Sequence, residues 1–231
     1  MKIEIIFEDE NLLVVNKPPG IIVAAEREEK EKTLMDLLIE EKDYLKEVKS
    51  SPRYGLVHRL DKDTSGVLLI AKNNKTLDFL QNQFKQRKTT KKYLALAIGR
   101  IEENKGEIET FIGRSPKDRK KQKVYLPGDP RSKGKRKAKT KYKVVKKFKN
   151  YTLLEIELKT GRKHQIRCHL NWMHHPIAGD KLYGFKNQKT PKNLERHFLH
   201  AISLEIELFK EKKEFTADLP KDLKEIIKNL K

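Results

Sequence analysis

The chain has 231 residues, 36% hydrophobic and 37% charged, against a charged share of roughly 25% in an average globular protein. Its 53 Lys+Arg and 33 Asp+Glu leave a formal net charge of +20, and Cys168 is its single cysteine. This excludes an intrachain disulfide framework, and dense periodic apolar segments exclude disorder throughout. No apolar run reaches the roughly 20 residues of a membrane helix, and MKIEIIFEDE lacks a signal peptide's apolar region, so a cytoplasmic protein with no membrane partner is expected.

In chain order, IEIIF and LLVVN read as two short strands around an acidic turn from Glu8 to Asn11. KPPG breaks the chain before IIVAA resumes, and Thr33 opens a helix with Leu34, Leu37, Leu38, Leu45 and Val48 on one face. Gly66 to Lys72 is apolar enough for a strand buried on both faces. Asn73 or Asn74 caps a helix carrying Leu77, Leu80 and Phe84. KKYLALAIG is a strand with Tyr93, Ala95 and Ala97 on one face. TKYKVVKKF and YTLLEIELKTG form a hairpin turning near Lys149-Asn150, and a helix follows from Lys163 to Trp172. LHAISLEIEL and EFTADL add strands, and PKDLKEIIKNL closes the chain as an amphipathic helix. The expected class is α+β: one domain over 1–231, a mostly antiparallel mixed sheet flanked by helices and loops.

The charge is concentrated. From Arg114 to Lys149 stand 17 Lys/Arg and two acids, a balance of 17 − 2 = +15. Such a block is either a solvated face or a polyanion-binding surface, and nucleic acid is the favoured partner. Around PGDPRSKGKRKAK it is expected to leave the sheet as an excursion, because Pro and Gly break regular elements.

Four clusters could carry chemistry: HRLDKDTSG (His58–Gly66), Tyr93 with its lysines, TGRKHQIRCHL (Thr160–Leu170) and RHFLHA (Arg196–Ala201). His164 and Cys168 are spaced i, i+4, but there is no second cysteine and no His-Glu-x-x-His, so no metal site is expected. Asp61 admits a plain reading as a turn residue, since Asp and Ser/Thr side chains bond nearby backbone donors. It admits a catalytic one as well, because a rigid turn would fix the direction of its carboxylate.

HRLDKDTSGVLLIAK resembles the signature of the RluA-type pseudouridine synthases, which isomerise uridine in structured RNA. EDENLLVVNKPPGIIV, KKYLALAIG, TGRKHQIRCHL, HPIAGDKLYG and RHFLHAISLEI resemble further blocks of that family, in its order. The chain is similar to the shorter members, which lack a small N-terminal RNA-binding domain. The resemblance implies an RNA cleft across the sheet, no cofactor, a monomer with no obligatory protein partner, and rRNA or tRNA as substrate. It makes Asp61 the nucleophile, with base and ribose attack both consistent with the residues. Arg167 becomes the cationic partner of that carboxylate, with phosphate binding as its alternative. Tyr93 becomes the group against the target base that takes the carbon 5 proton, with core packing as its alternative. Arg59 is implied to fill the space of a flipped uridine, Arg162 and Lys163 to bind RNA at the turn into a helix, and Leu199 to wall the base or else to belong to the sheet core.

Overall fold

Alternation and capping signals turn into structure with few exceptions. The computed structural model describes residues 2–25, 31–49 and 51–231. Its backbone divides into two compact units, Met1–Thr90 with Ala201–Asp218, and Lys91–His200 with Leu219–Lys231. The class is α+β with a mostly antiparallel sheet, as expected.

In the first unit, β1 (Glu4–Glu8) and β2 (Leu12–Lys17) form a hairpin whose turn is closed by Asp9 Oδ1, which accepts from the Asn11 and Leu12 N–H groups at 2.8 and 2.7 Å. β3 (Ser65–Ala71) is buried at every residue. It lies between β2 and β9 (Leu199–Leu208), and β10 (Glu211–Thr216) closes the edge through a tight turn at Phe209 and Lys210, both with positive φ. Helix α2 (Asn74–Gln86) is capped by Asn73, whose side chain accepts from Thr76 N. Its Leu77 and Leu80 join Leu12, Val14, Leu69, Leu204 and Ile206 in one apolar core. Gln83 fixes the helix by bonding both the N–H and the carbonyl of Glu207 in β9.

One expectation in this unit needs correction. Helix α1 (Leu34–Glu41) begins at the Thr33 cap but ends before Lys42, and a 3-10 turn at Asp43–Glu47 follows. The burial therefore falls on Leu34, Met35, Leu38 and Ile39, while Leu37 is only half-buried. Where IIVAA resumes, the chain is irregular, and the Ile22 and Val23 carbonyls accept from the Leu34 and Met35 N–H groups, 2.8 and 3.0 Å away. Those donors have no partner within the helix, so an irregular segment is used to satisfy them.

The second unit contains β4 (Thr90–Ile98), β5 (Lys105–Arg114), β6 (Gln122–Tyr125), β7 (Arg136–Lys147) and β8 (Tyr151–Leu158), in the order β4-β8-β7-β5-β6. Each of these neighbours pairs antiparallel. Here the basic excursion around PGDPRSKGKRKAK is shorter than expected, because β7 begins at Arg136. Within 114–149, β6 and the long β7 lie in the sheet, while 115–121 and 126–135 leave it. Alternating Ala138, Thr140 and Tyr142 are buried, so the strand period persists under the lysines. Helix α3 (Gln165–Trp172) starts two residues later than expected because His164 adopts a left-handed conformation, φ 54°. Helix α4 (Lys221–Asn229) begins after Pro220 and buries Leu223 and Ile226.

Candidate active site

The loop that carries Arg59 and Asp61 is braced at both ends within the first unit. Upstream, His58 Nε2 accepts from the Leu69 N–H at 3.2 Å, and its ring stacks on Phe84 at 4.9 Å. Leu60 is buried. Downstream, the Thr64 N–H donates to the Asp61 carbonyl at 3.1 Å, closing the expected turn over Lys62 and Asp63. Arg59 is exposed and Asp61 half-buried.

Sequence reasoning missed the main support of this turn. Lys17 ends β2 and has no exposed surface, yet its Nζ donates to the carbonyls of Pro18, Lys62 and Thr64 at 2.8, 2.8 and 3.0 Å. A buried ammonium is tolerated when its donors are met, and here they are met by the backbone that shapes the turn. The Gly20 N–H adds a second bond to the Lys62 carbonyl, 3.0 Å, from a residue with φ 83°. The NKPPG stretch is therefore a clamp on the Asp61 turn as well as a chain break. At its far end Gly66 must be glycine: φ is 116° and a Cβ would lie 2.2 Å from the Ala201 carbonyl oxygen.

In the second unit, Tyr93 is buried on β4, with Ala95 and Ala97 on its face. Lys91, two residues earlier, shares that face and is buried too, which the sequence reading overlooked. Burial, with a smaller push from Lys159, pulls its ammonium down to about 8.

Arg167 projects from α3 and is buried. Its Nε and Nη2 fork onto Asp180, at 2.7 Å to Oδ2 and 2.9 Å to Oδ1. Its guanidinium carbon lies 5.1 Å from the centre of the Tyr183 ring. Asp180 Oδ1 also accepts from the Leu182 and Tyr183 N–H groups. Burial pushes the Asp180 carboxyl up, but the Arg167 guanidinium and the Tyr183 N–H outweigh it, leaving the group below the ordinary carboxylate range. The resemblance makes Arg167 the partner of the Asp61 carboxylate; the partner seen within its own unit is Asp180, from the HPIAGDKLYG block. Only the Gly-Asp-Lys-Leu-Tyr-Gly turn chemistry of that block could have signalled it.

The approach to α3 is equally fixed. Gln165 Oε1 accepts from Thr160 Oγ1 at 2.7 Å and from the Arg162 N–H at 3.0 Å, while its Nε2 donates to Thr140 Oγ1 and the Lys139 carbonyl. Arg162 Nε donates to the Lys137 carbonyl at 2.9 Å, and Lys163 is exposed. The histidines and cysteine of this region have separate tasks. His164 Nδ1 lies 3.0 Å from the Tyr183 hydroxyl. His169 lies between Thr140 Oγ1 and Thr110 Oγ1, 2.8 and 3.0 Å away, and burial lowers its pKa to about 4. Cys168 joins Ile112, Ala138 and Tyr183 in an apolar cluster, and burial pushes its thiol up to about 12. No group of three or more His, Cys, Asp or Glu among the described residues could hold a metal. Leu199, the first residue of β9, is buried, and its carbonyl accepts from Arg196 Nη1 at 3.5 Å.

Two units thus present an aspartate on a locked turn, a buried tyrosine, and a helix carrying a buried arginine behind an Arg-Lys turn. Comparison with known proteins is consistent across sequence and structure. A relative in Aquifex aeolicus, named an uncharacterized RNA pseudouridine synthase, is 43% identical over 194 residues, covering 83% of this chain and 59% of that one. The ribosomal large subunit pseudouridine synthase D of Borreliella burgdorferi is 41% identical over 224 residues, covering 95% of this chain and 66% of that one. The chain thus spans about three-fifths to two-thirds of these relatives' length. The structure of human RNA pseudouridylate synthase domain containing 1 superposes with a TM-score of 0.77 at 27% identity, covering 95% of this chain and 84% of that one. Residues 11–172 match the family model described as RNA pseudouridylate synthase, and the chain belongs to that family.

Proposed function

We propose that this chain is an RNA pseudouridine synthase that isomerises specific uridines in structured rRNA or tRNA, with residues 1–231 supplying one catalytic domain. The observation that carries the reading is the Asp61 turn, locked by the buried Lys17 ammonium in a chain of this family. In the isomerisation the N1–C1′ bond breaks, the base rotates, a C5–C1′ bond forms, C5 gives up its proton and N1 takes one up, so that composition is unchanged. Asp61 supplies covalent help that divides this change into easier steps. Tyr93 takes the C5 proton, and its small alanine neighbours leave room for a flat ring. Arg167, held by Asp180, keeps positive charge where an anionic nucleophile and a shifting glycosidic bond need it.

A stacked uridine must leave its helix before it reacts, and exposed Arg59 fills the vacated space. Arg162 and Lys163 bind phosphate, and Leu199 gives the base an apolar wall. The printed name of the Borreliella relative favours ribosomal RNA of the large subunit over tRNA. No helix among the described residues is long and apolar enough to cross a membrane. We place the enzyme in the cytoplasm, as a monomer.

The test is tritium release from RNA labelled at uridine C5. Purified protein with no cofactor and with chelator present should liberate label from ribosomal RNA at specific positions. Binding to RNA without any release would mean a non-catalytic RNA-binding protein of the same fold.

A further inference from the structure

The strands redistribute the charge that the sequence shows as one block. On β7 the buried Ala138, Thr140 and Tyr142 alternate with outward Lys137, Lys139, Lys141 and Lys143. Across the ladder, Lys139 and Lys141 face Glu109 and Glu107 of β5. On the other side Lys141 and Lys143 face Glu157 and Glu155 of β8. Lys139 Nζ lies 2.6 Å from Glu107 and 3.1 Å from Glu109, Lys141 lies 3.7 Å from Glu107, and Lys159 pairs with Glu157. Counting Lys92, Lys105, Lys139, Lys141, Lys143 and Lys159 against Glu107, Glu109, Glu155 and Glu157 gives 6 − 4 = +2. This lysine-rich face is close to neutral.

The other end of the same strands is not. From Arg114 to Lys137 there are 11 Lys/Arg against Asp118 and Asp129, a balance of 11 − 2 = +9. Arg131 already forks onto Asp129, and Asp118 is engaged by the Lys120 N–H. The remaining cations include exposed Lys120, Lys133, Arg136 and Lys137. The tip is built, too. The stem of Lys135 crosses Gly113, where a Cβ would lie 2.4 Å from its Cδ, and its ammonium sits over the Tyr125 ring at 5.4 Å, with Lys123 at 5.7 Å. At the root, Arg162 bonds the Lys137 carbonyl, so the cationic turn before α3 is continuous with this end of the sheet.

We infer that substrate RNA is gripped by its phosphates at this tip, from Arg114 to Lys137 and on to Arg162, and not along the lysine face of β7. Anion binding needs charge not already spent on carboxylates, and a polyphosphate needs several cations along one ridge; of these two surfaces, the tip offers both. The inference rests on the proposed reaction for its ligand, RNA, but its test does not read turnover.

Two variants that each remove four positive charges separate local grip from net charge. One is K120Q/K133Q/R136Q/K137Q, at the tip; the other is K105Q/K139Q/K141Q/K143Q, on the lattice. Equilibrium binding of a fluorescein-labelled ribosomal RNA hairpin, measured against salt concentration, is the readout, with thermal melts to establish that each variant is folded. The tip variant should lose at least tenfold in affinity near 0.15 M salt, and its salt slope should fall by about 0.7 for each phosphate contact removed. The lattice variant should stay within about twofold of the parent. Equal losses in the two variants overturn the inference, since net charge alone would then set affinity. So does wild-type RNA affinity in the tip variant, including the case where that variant loses only its adhesion to anionic phospholipid vesicles. Should tritium release fail while the tip variant still loses affinity, the proposed reaction falls and the RNA grip stands.

Discussion

At the scale of single residues, two buried cations organise this protein, and each is held by oxygen atoms from distant parts of the chain. Lys17 holds the Asp61 turn through backbone carbonyls, and Arg167 is held by the Asp180 carboxylate across 13 residues of sequence. Removing one member of such a buried pair leaves an uncompensated charge, which is far costlier than the pair itself is beneficial. Asp180→Asn keeps the shape but loses the charge. It is expected to destabilise the fold by about 3–5 kcal/mol in denaturant unfolding and to release the Arg167 side chain. A loss under about 0.5 kcal/mol would mean that Arg167 is held by other contacts. Neither cation's partner was legible in the sequence. A lysine in NKPPG reads as part of a loop, and nothing local marks Asp180 as facing a helix two turns upstream of its own block. Asp61 was legible because the turn that carries it, from His58 to Gly66, is contiguous in sequence, although the clamp at Lys17 is not.

At the scale of elements, helix α3 is the part whose position matters most, since it carries Arg167. It is seated on the sheet by Gln165 and His169, whose ring nitrogens meet the hydroxyls of Thr140 on β7 and Thr110 on β5. A threonine hydroxyl can donate to one nitrogen and accept from the other, so the site suits a neutral imidazole. The folded ring titrates at about 4 and its ordinary value is 6.5. Between those values the unfolded chain binds a proton that the folded chain does not. Stability from this group is therefore complete above pH 6.5, declines as pH falls toward 4, and is flat below. Urea unfolding at pH 7 and pH 4.5 should show the parent losing about 1–3 kcal/mol more than His169→Gln over that interval. Parallel profiles for the two proteins would place the titration elsewhere.

Elements with clean periods were also the ones read correctly from sequence. β3 and α2 have uninterrupted apolar patterns and unambiguous neighbours at Gly66 and Asn73. β5 was passed over although Ile108, Thr110 and Ile112 alternate, because Glu107 and Glu109 flank Ile108 and mask the apolar pattern. The start of β7 was hidden in the same way. For Glu107 and Glu109 the partner strand supplies the countercharges, Lys141 and Lys139, and that pairing is tertiary information.

At the scale of the whole molecule, net charge is a poor guide to where cations stand without carboxylate neighbours. The +20 of the sequence includes a lysine face that largely neutralises itself and a sheet end, +9 from Arg114 to Lys137, that does not. Composition indicates a polyanion partner, whereas strand register indicates which lysines are available to it. The central claim is that the carboxylate on the locked turn performs the isomerisation. Its most direct test is Asp61→Asn, assayed by tritium release and by chemical mapping of pseudouridine in the same ribosomal RNA. An amide preserves the turn, whose bonds from Lys17 and Thr64 are to backbone carbonyls, but it removes the anionic nucleophile. The account predicts a folded protein with RNA affinity close to the parent's and no detectable pseudouridine. Pseudouridine formed at a rate near the parent's by pure Asp61→Asn protein would contradict it.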